Sequence, residues 1–171
     1  MTKHNREALD YFKHAHAVGP DDAEIHDLLG QTYMELGKYR AAERHLRRSI
    51  ELGPKSSYGY YDLGNLLLRI PEKRAEAREL LERAIELAPG DAWAHYCLGC
   101  WYALEGRKPE ALDCLEKAFE KGFANREWME KDRDLERLRD EPRYRKLVGA
   151  EIGGPGTEAV KDLGRAQSPS S

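Results

Sequence analysis

Apolar residues recur along this chain at spacings of three and four, in stretches bounded by Gly and Pro. From Ala23 to Leu36 the stripe is Ile25, Leu28, Leu29, Tyr33 and Leu36, a spacing that gathers side chains on one side of an α-helix. Gly37 stops it. A second stripe follows in Ala41, Ala42, His45, Leu46, Ser49 and Ile50, and Gly53-Pro54 closes it. Proline cannot continue a helix and glycine tolerates left-handed backbone angles. The two helices therefore make a hairpin, and the hairpin recurs: Leu29-Gly30, Leu63-Gly64 and Leu98-Gly99 follow one another at steps of 34 and then 35 residues. Each pair is succeeded by an Ala, a Leu and usually a Pro. A unit this short cannot bury its own apolar face, so the units must stack into a row. The extra residue of the second unit falls between Gly64 and Ala77, in the turn around Ile70-Pro71-Glu72, where it leaves the packed positions undisturbed.

Small residues within the stripes have a packing reason: two helices approach closely only where neither side chain holds the backbones apart. The order of positions resembles the tetratricopeptide repeat family, which has a bulky residue, Leu-Gly and an aromatic in the first helix, then Ala, a large apolar residue, a small residue and Pro in the second. The first unit offers His26, Leu29, Gly30, Tyr33, Ala42, Leu46, Ser49 and Pro54. The second offers Tyr60, Leu63, Gly64, Leu67, Ala77, Leu81, Ala84 and Pro89, and the third His95, Leu98, Gly99, Tyr102, Ala111, Leu115 and Ala118.

This resemblance implies an all-α, right-handed α-solenoid of three helical hairpins with an N-terminal half-unit. Ala8, Phe12, Ala15 and Pro20 match a second helix alone, which puts the half-unit at 1–20, the repeats at 22–55, 57–90 and 92–123, and the array over 1–122. Phe123 stands where the closing Pro belongs and ends the regular row. Capping helices are expected over 123–148, with Asn125 and Asp140 as N-caps and Pro142 in a first turn. Residues 149–171, rich in Gly, Ser and Pro, are expected to be a disordered tail.

Composition narrows the function. A chain of 171 residues with a net charge of -3 lacks the basic footprint of a nucleic-acid binder. No run approaches the ~20 apolar residues that span a bilayer, and Met1 to Asp10 are too polar for a signal peptide. Three cysteines, an odd count in a chain of this size, suit a reducing compartment, so a cytoplasmic protein without membrane contact is expected.

In the resembling family, first helices line the concave side of the superhelix. A second stripe can be read there: Glu24, Asp27, Gln31 and Met34, then Tyr58, Tyr61, Asn65 and Leu68, then Trp93, Tyr96, Cys100 and Ala103. Tyr and Trp offer broad, stiff contact area with a polar tip, the chemistry of binding hot spots. The expected peptide groove therefore comprises Glu24, Asp27, Gln31, Tyr58, Tyr61, Asn65, Trp93, Tyr96 and Cys100. The competing use of these rings is to pack between repeats or against the C-terminal helices. An acidic end beside an aromatic floor favours a peptide with apolar anchors and a basic residue near the first unit.

Other chemistries fit poorly. Family members that hold a carboxylate tail place cations on this stripe, where Asp27, Tyr61 and Tyr96 stand instead. Cys97-x-x-Cys100 lies in mid-helix, without the turn of a redox motif or four convergent zinc ligands. His26 and His95 read as large semi-apolar fillers, and His14 and His16 point to different sides of their helix. No phosphate loop or nucleophile elbow occurs, so neither an enzyme nor a cofactor or metal is expected. The expected function is a protein–protein interaction scaffold or adaptor holding a peptide. A dedicated chaperone resembling type III secretion translocator chaperones is the alternative, and self-association through the aromatic stripe a third use.

Overall fold

The computed structural model of the chain describes residues 3–149, so the expected disordered tail lies outside the described residues except for Gly149. Nine α-helices run in order among these residues: α1 (Lys3–Val18), α2 (Ala23–Glu35), α3 (Tyr39–Leu52), α4 (Ser57–Leu67), α5 (Arg74–Leu87), α6 (Ala92–Leu104), α7 (Lys108–Glu120), α8 (Arg126–Lys131) and α9 (Pro142–Val148). Short 3-10 segments occupy Pro71–Lys73 and Arg133–Leu138. The helices pair as hairpins, α2 with α3, α4 with α5 and α6 with α7, and each hairpin packs its second helix on the first helix of the next. α1 lies against α2. No helix among the described residues is long and apolar enough to cross a membrane.

Each hairpin is closed by the same small-to-large contact. A Cβ built on Gly30 would lie 2.5 Å from Leu46, one on Gly64 2.8 Å from Leu81, and one on Gly99 3.0 Å from Leu115. The first two distances are ones that real Cβ atoms essentially never show and the third is tighter than most, so the glycine is what lets the leucine of the facing helix seat itself. Ala42, Ala77 and Ala111, each fully buried, serve the same approach from the second helix. Gly37 and Gly106 take φ of 68° and 75° at the hairpin turns, where a side chain would be strained. The second hairpin has no such glycine. Its extra residue is taken up by the 3-10 turn Pro71–Lys73.

The junctions between units carry a second recurring contact. His26 Nε2 donates to the Pro20 carbonyl at 3.0 Å, Tyr60 Oη to Pro54 at 3.3 Å, and His95 Nε2 to Pro89 at 3.1 Å. The donor sits one turn into each first helix and reaches back to the proline that ended the previous helix. It thereby gives a partner to a carbonyl of the turn that joins the two units.

Histidine at this position does more than fill space. Since a carbonyl only accepts, His26 Nε2 carries a proton, and the other ring nitrogen, Nδ1, lies within hydrogen-bond distance of His45 Nδ1 at 3.0 Å. His16 of α1 completes a cluster, its ring centroid 4.8 Å from that of His26 and 6.0 Å from that of His45. Tyr33 stacks on His45 from the other side. Three helices thus meet at three imidazoles. Burial first, then the neighbouring His26 and His16, push His45 down to about 4.

The C-terminal segments fold back onto α6. Asn125 caps α8 by accepting from the Trp128 amide at 3.0 Å, and Pro142 opens α9, both as expected. Asp140 does not cap. Glu141 takes the N-cap place without a side-chain bond, because the Asp140 carboxylate accepts instead from Arg145 at 3.1 Å. Met129, Leu135, Leu138, Tyr144 and Val148 are buried, and the 3-10 segment Arg133–Leu138 packs directly on α6.

Candidate peptide groove

The first helices α2, α4 and the start of α6 stand side by side and leave a trough between them. Two adjoining cavities occupy it. One, of about 510 Å³, is lined by Glu24, Asp27, Leu28, Gln31 and Tyr58 together with Ala23, Ser49 and Ser56. The other, of about 460 Å³, shares Gln31 and Tyr58 and continues over Met34, Glu35, Tyr61, Asp62, Asp91 and Trp93. Their positions follow from local structure. Asp22 and Asp91 cap α2 and α6 by accepting two amides each, from Glu24 and Ile25 and from Trp93 and Ala94. Those caps set where Glu24 and Trp93 emerge from their helices.

Of the residues expected in the groove, Glu24, Asp27, Gln31, Tyr58, Tyr61 and Trp93 line these two cavities. Tyr58 is 64% exposed and Trp93 43%. Tyr61 is partly buried, with its hydroxyl beside Cys97, and burial holds the phenol neutral. Asn65 lines neither cavity; one turn further along α4, it is only half-buried.

Two positions depart from expectation. Tyr96 and Cys100 are 3% and 2% exposed, covered by the chain's own C-terminal part. The Tyr96 ring stacks on Phe123 with centroids 4.4 Å apart, and its hydroxyl donates to Asp132 at 2.8 Å. The Cys100 thiol faces the same carboxylate at 3.9 Å. The physical reason is that α6 ends the row. With no fourth unit, its apolar face, from Ala94 to Trp101 continuously buried, must be covered by Phe123 and the 3-10 segment. Burial pushes the Cys97 and Cys100 thiols well up, and Cys114 up to about 11, so all three stay protonated.

Asp62 and Asp91 complete the groove without having been expected there. Asp62 is 5% exposed, next to the Leu63-Gly64 pair. Its place among Tyr60, Tyr61 and Leu63 was the available signal, an acid inside an apolar run; Asp91 could have been read as an N-cap after Gly90. Across the floor, Gln31 Nε2 donates to Asp62 Oδ2 at 2.8 Å and to Asp27 Oδ2 at 3.2 Å. Asp27 Oδ1 is buried with no partner. Desolvation, and next the charge of Asp27, raise Asp62 to about 7; desolvation is also the main cause that raises Asp27 to about 6. Glu24, Asp27, Glu35, Asp62 and Asp91 thus line the trough, and among the described residues no Lys or Arg lines it or pairs with these acids.

Residues 28–92 match the family model of the tetratricopeptide repeat. No curated protein matches. Among solved structures, the chain is similar to MamA at 28% identity over 68% of both chains, with a TM-score of 0.60. A double mutant of MamA RS-1 superposes over 85% of this chain and 86% of its own, at 23% identity and a TM-score of 0.63. YrrB, a tetratricopeptide repeat protein with an unusual peptide-binding site, shares 21% identity over 87% of this chain and 80% of its own, with a TM-score of 0.60. At these last two identities the likeness is one of fold.

Proposed function

Since the chain belongs to the tetratricopeptide repeat family, whose arrays serve as protein-interaction scaffolds, we propose that it holds a peptide segment of a partner protein in the trough over α2, α4 and the start of α6. The observation that carries this reading is the pair of adjoining cavities with Tyr58 and Trp93 exposed along them. Exposed rings that share one trough offer contact area of the kind that binding hot spots use. They stand where a side chain of an incoming segment meets both a flat face and a polar tip. YrrB, whose fold is similar, holds a peptide-binding site of its own, which supports the reading.

The groove is short. It spans the first unit, the second unit and the entry to the third, and Tyr96 and Cys100 lie beneath the cap rather than in it. A partner captured from the native cell should be reduced by peptide tiling to one short segment. Tyr58→Ala with Trp93→Ala should then lower affinity for that segment by about 100-fold or more, as expected when two hot-spot rings are lost. Circular dichroism should be unchanged, and Tyr11→Ala, on α1 away from the trough, should bind normally. Undiminished affinity of the double variant would place the partner elsewhere on the surface.

A further inference from the structure

Five carboxylates line the trough and no cation answers them, although Lys and Arg pair with acids over much of the remaining surface. Two of the five, Asp27 and Asp62, are more than nine-tenths buried. Burying ionisable groups without a counter-charge is costly, and such groups are ordinarily paired. Gln31 is a partial remedy. Its amide nitrogen has two hydrogens, one directed at Asp62 Oδ2 and one at Asp27 Oδ2, and none remains for the orphaned Asp27 Oδ1.

Resting on the groove reading above, we propose that the partner segment inserts an arginine side chain over the Asp27–Gln31–Asp62 floor, with its apolar neighbours lying on Tyr58 and Trp93. A planar guanidinium carries five donors in a fixed fork, enough to serve both aspartates at once. An ammonium is a point donor that bridges two carboxylates less well. Glu24 and Glu35 stand at the two ends of the α2 side of the trough and Asp91 at the start of α6. These acids draw a cation in and direct it toward the floor. The raised protonation range of both floor aspartates is the counterpart of this arrangement, since the free site lacks the positive charge that would bring them down.

Four pools of nine-residue peptides test this, each degenerate except for a central residue fixed as arginine, lysine, citrulline or glutamate. Citrulline keeps the shape of arginine without its charge. The arginine pool should bind at least about tenfold more tightly than the citrulline pool, with lysine between them. Asp27→Asn with Asp62→Asn should erase that difference. Tyr58→Ala with Trp93→Ala should weaken every pool. The arginine advantage should also shrink from pH 8 to pH 5. The groups facing the floor are Glu24, Asp27 and Gln31 on α2, Tyr61 and Asp62 on α4, and Asp91 at the start of α6; of these, the two floor aspartates take up protons in that interval.

If citrulline peptides bind as well as arginine peptides and the ring substitutions weaken both, the arginine seat is wrong and the groove stands. An arginine advantage that survives the double Asn variant also overturns the seat. Should no pool bind, or should the ring substitutions change nothing, the groove reading falls with it.

Discussion

Tyr61 and Tyr96 hold the same place in successive units, 35 residues apart, yet they have opposite fates. Tyr61 lies on the floor of an open trough. Tyr96 is locked under Phe123 and Asp132. The rings three residues earlier, Tyr58 and Trp93, both remain open, so the boundary between open trough and sealed core runs through the first turns of α6. A repeat row is uniform only in its interior. The end unit has no neighbour, and whatever covers it is taken from the same face that its sisters leave free.

Substituting one ring in each region should separate these roles most sharply. Tyr96→Ala is expected to cost ~3–4 kcal/mol in urea unfolding, because the ring, its stacking partner and the Asp132 bond are lost together. Tyr58→Ala should cost less than ~0.5 kcal/mol and act on binding alone. Comparable losses would erase the distinction. Next in size, Tyr96→Phe keeps the stack and removes only the hydrogen bond to a carboxylate, for about 2 kcal/mol. Tyr61→Phe, with no such acceptor, should be near neutral. Reaction of Cys100 with a thiol reagent, slow in the parent protein, should quicken in both Tyr96 variants and in neither Tyr58→Ala nor Tyr61→Phe.

In the open region the expected sign reverses. Asp62→Asn removes a buried, poorly compensated charge and should stabilise the free protein by about 1 kcal/mol while weakening its grip on arginine peptides. A fall in stability would mean that Asp62 is structural.

Acid titration gives the finest discrimination, because two clusters that meet at α2 have opposite linkage. Asp27 and Asp62, raised from the ordinary Asp value of 3.8 to about 6 and about 7, bind more protons folded than unfolded between those limits. Their contribution is complete at low pH and is lost as pH rises through 6 to 7. His45, lowered from 6.5 to about 4, binds fewer protons folded. Its contribution is complete above 6.5 and is lost as pH falls toward 4. The two partly cancel in the parent. Asp62→Asn should therefore steepen the loss of stability between pH 6.5 and pH 4 in chemical denaturation, and an unchanged slope would remove the acid floor from the balance.

The hairpins were legible because their determinants are local and periodic: Gly30, Gly64 and Gly99 announce the close approach that Leu46, Leu81 and Leu115 complete. The first half of the trough was legible for the same reason, as a second stripe on the same helices. What was hidden depends on residues without a period. Asp132 reaches Tyr96 across 36 residues from a segment that repeats nothing. Asp62 joins Asp27 only through Gln31, on a neighbouring helix. The meeting of His16, His26 and His45 needs three helices to be placed first, and from spacing alone each of them is filler.

The proline carbonyls that receive His26, Tyr60 and His95 are the latches by which one unit fastens to the last, and at Phe123 the latch is missing. In its stead the chain sets a ring flat against its own third unit, as a mason sets a closing stone. The far edge of the molecule is therefore finished. Another hairpin, whether added by duplication or lent by a second copy, finds no berth there until that stone is lifted.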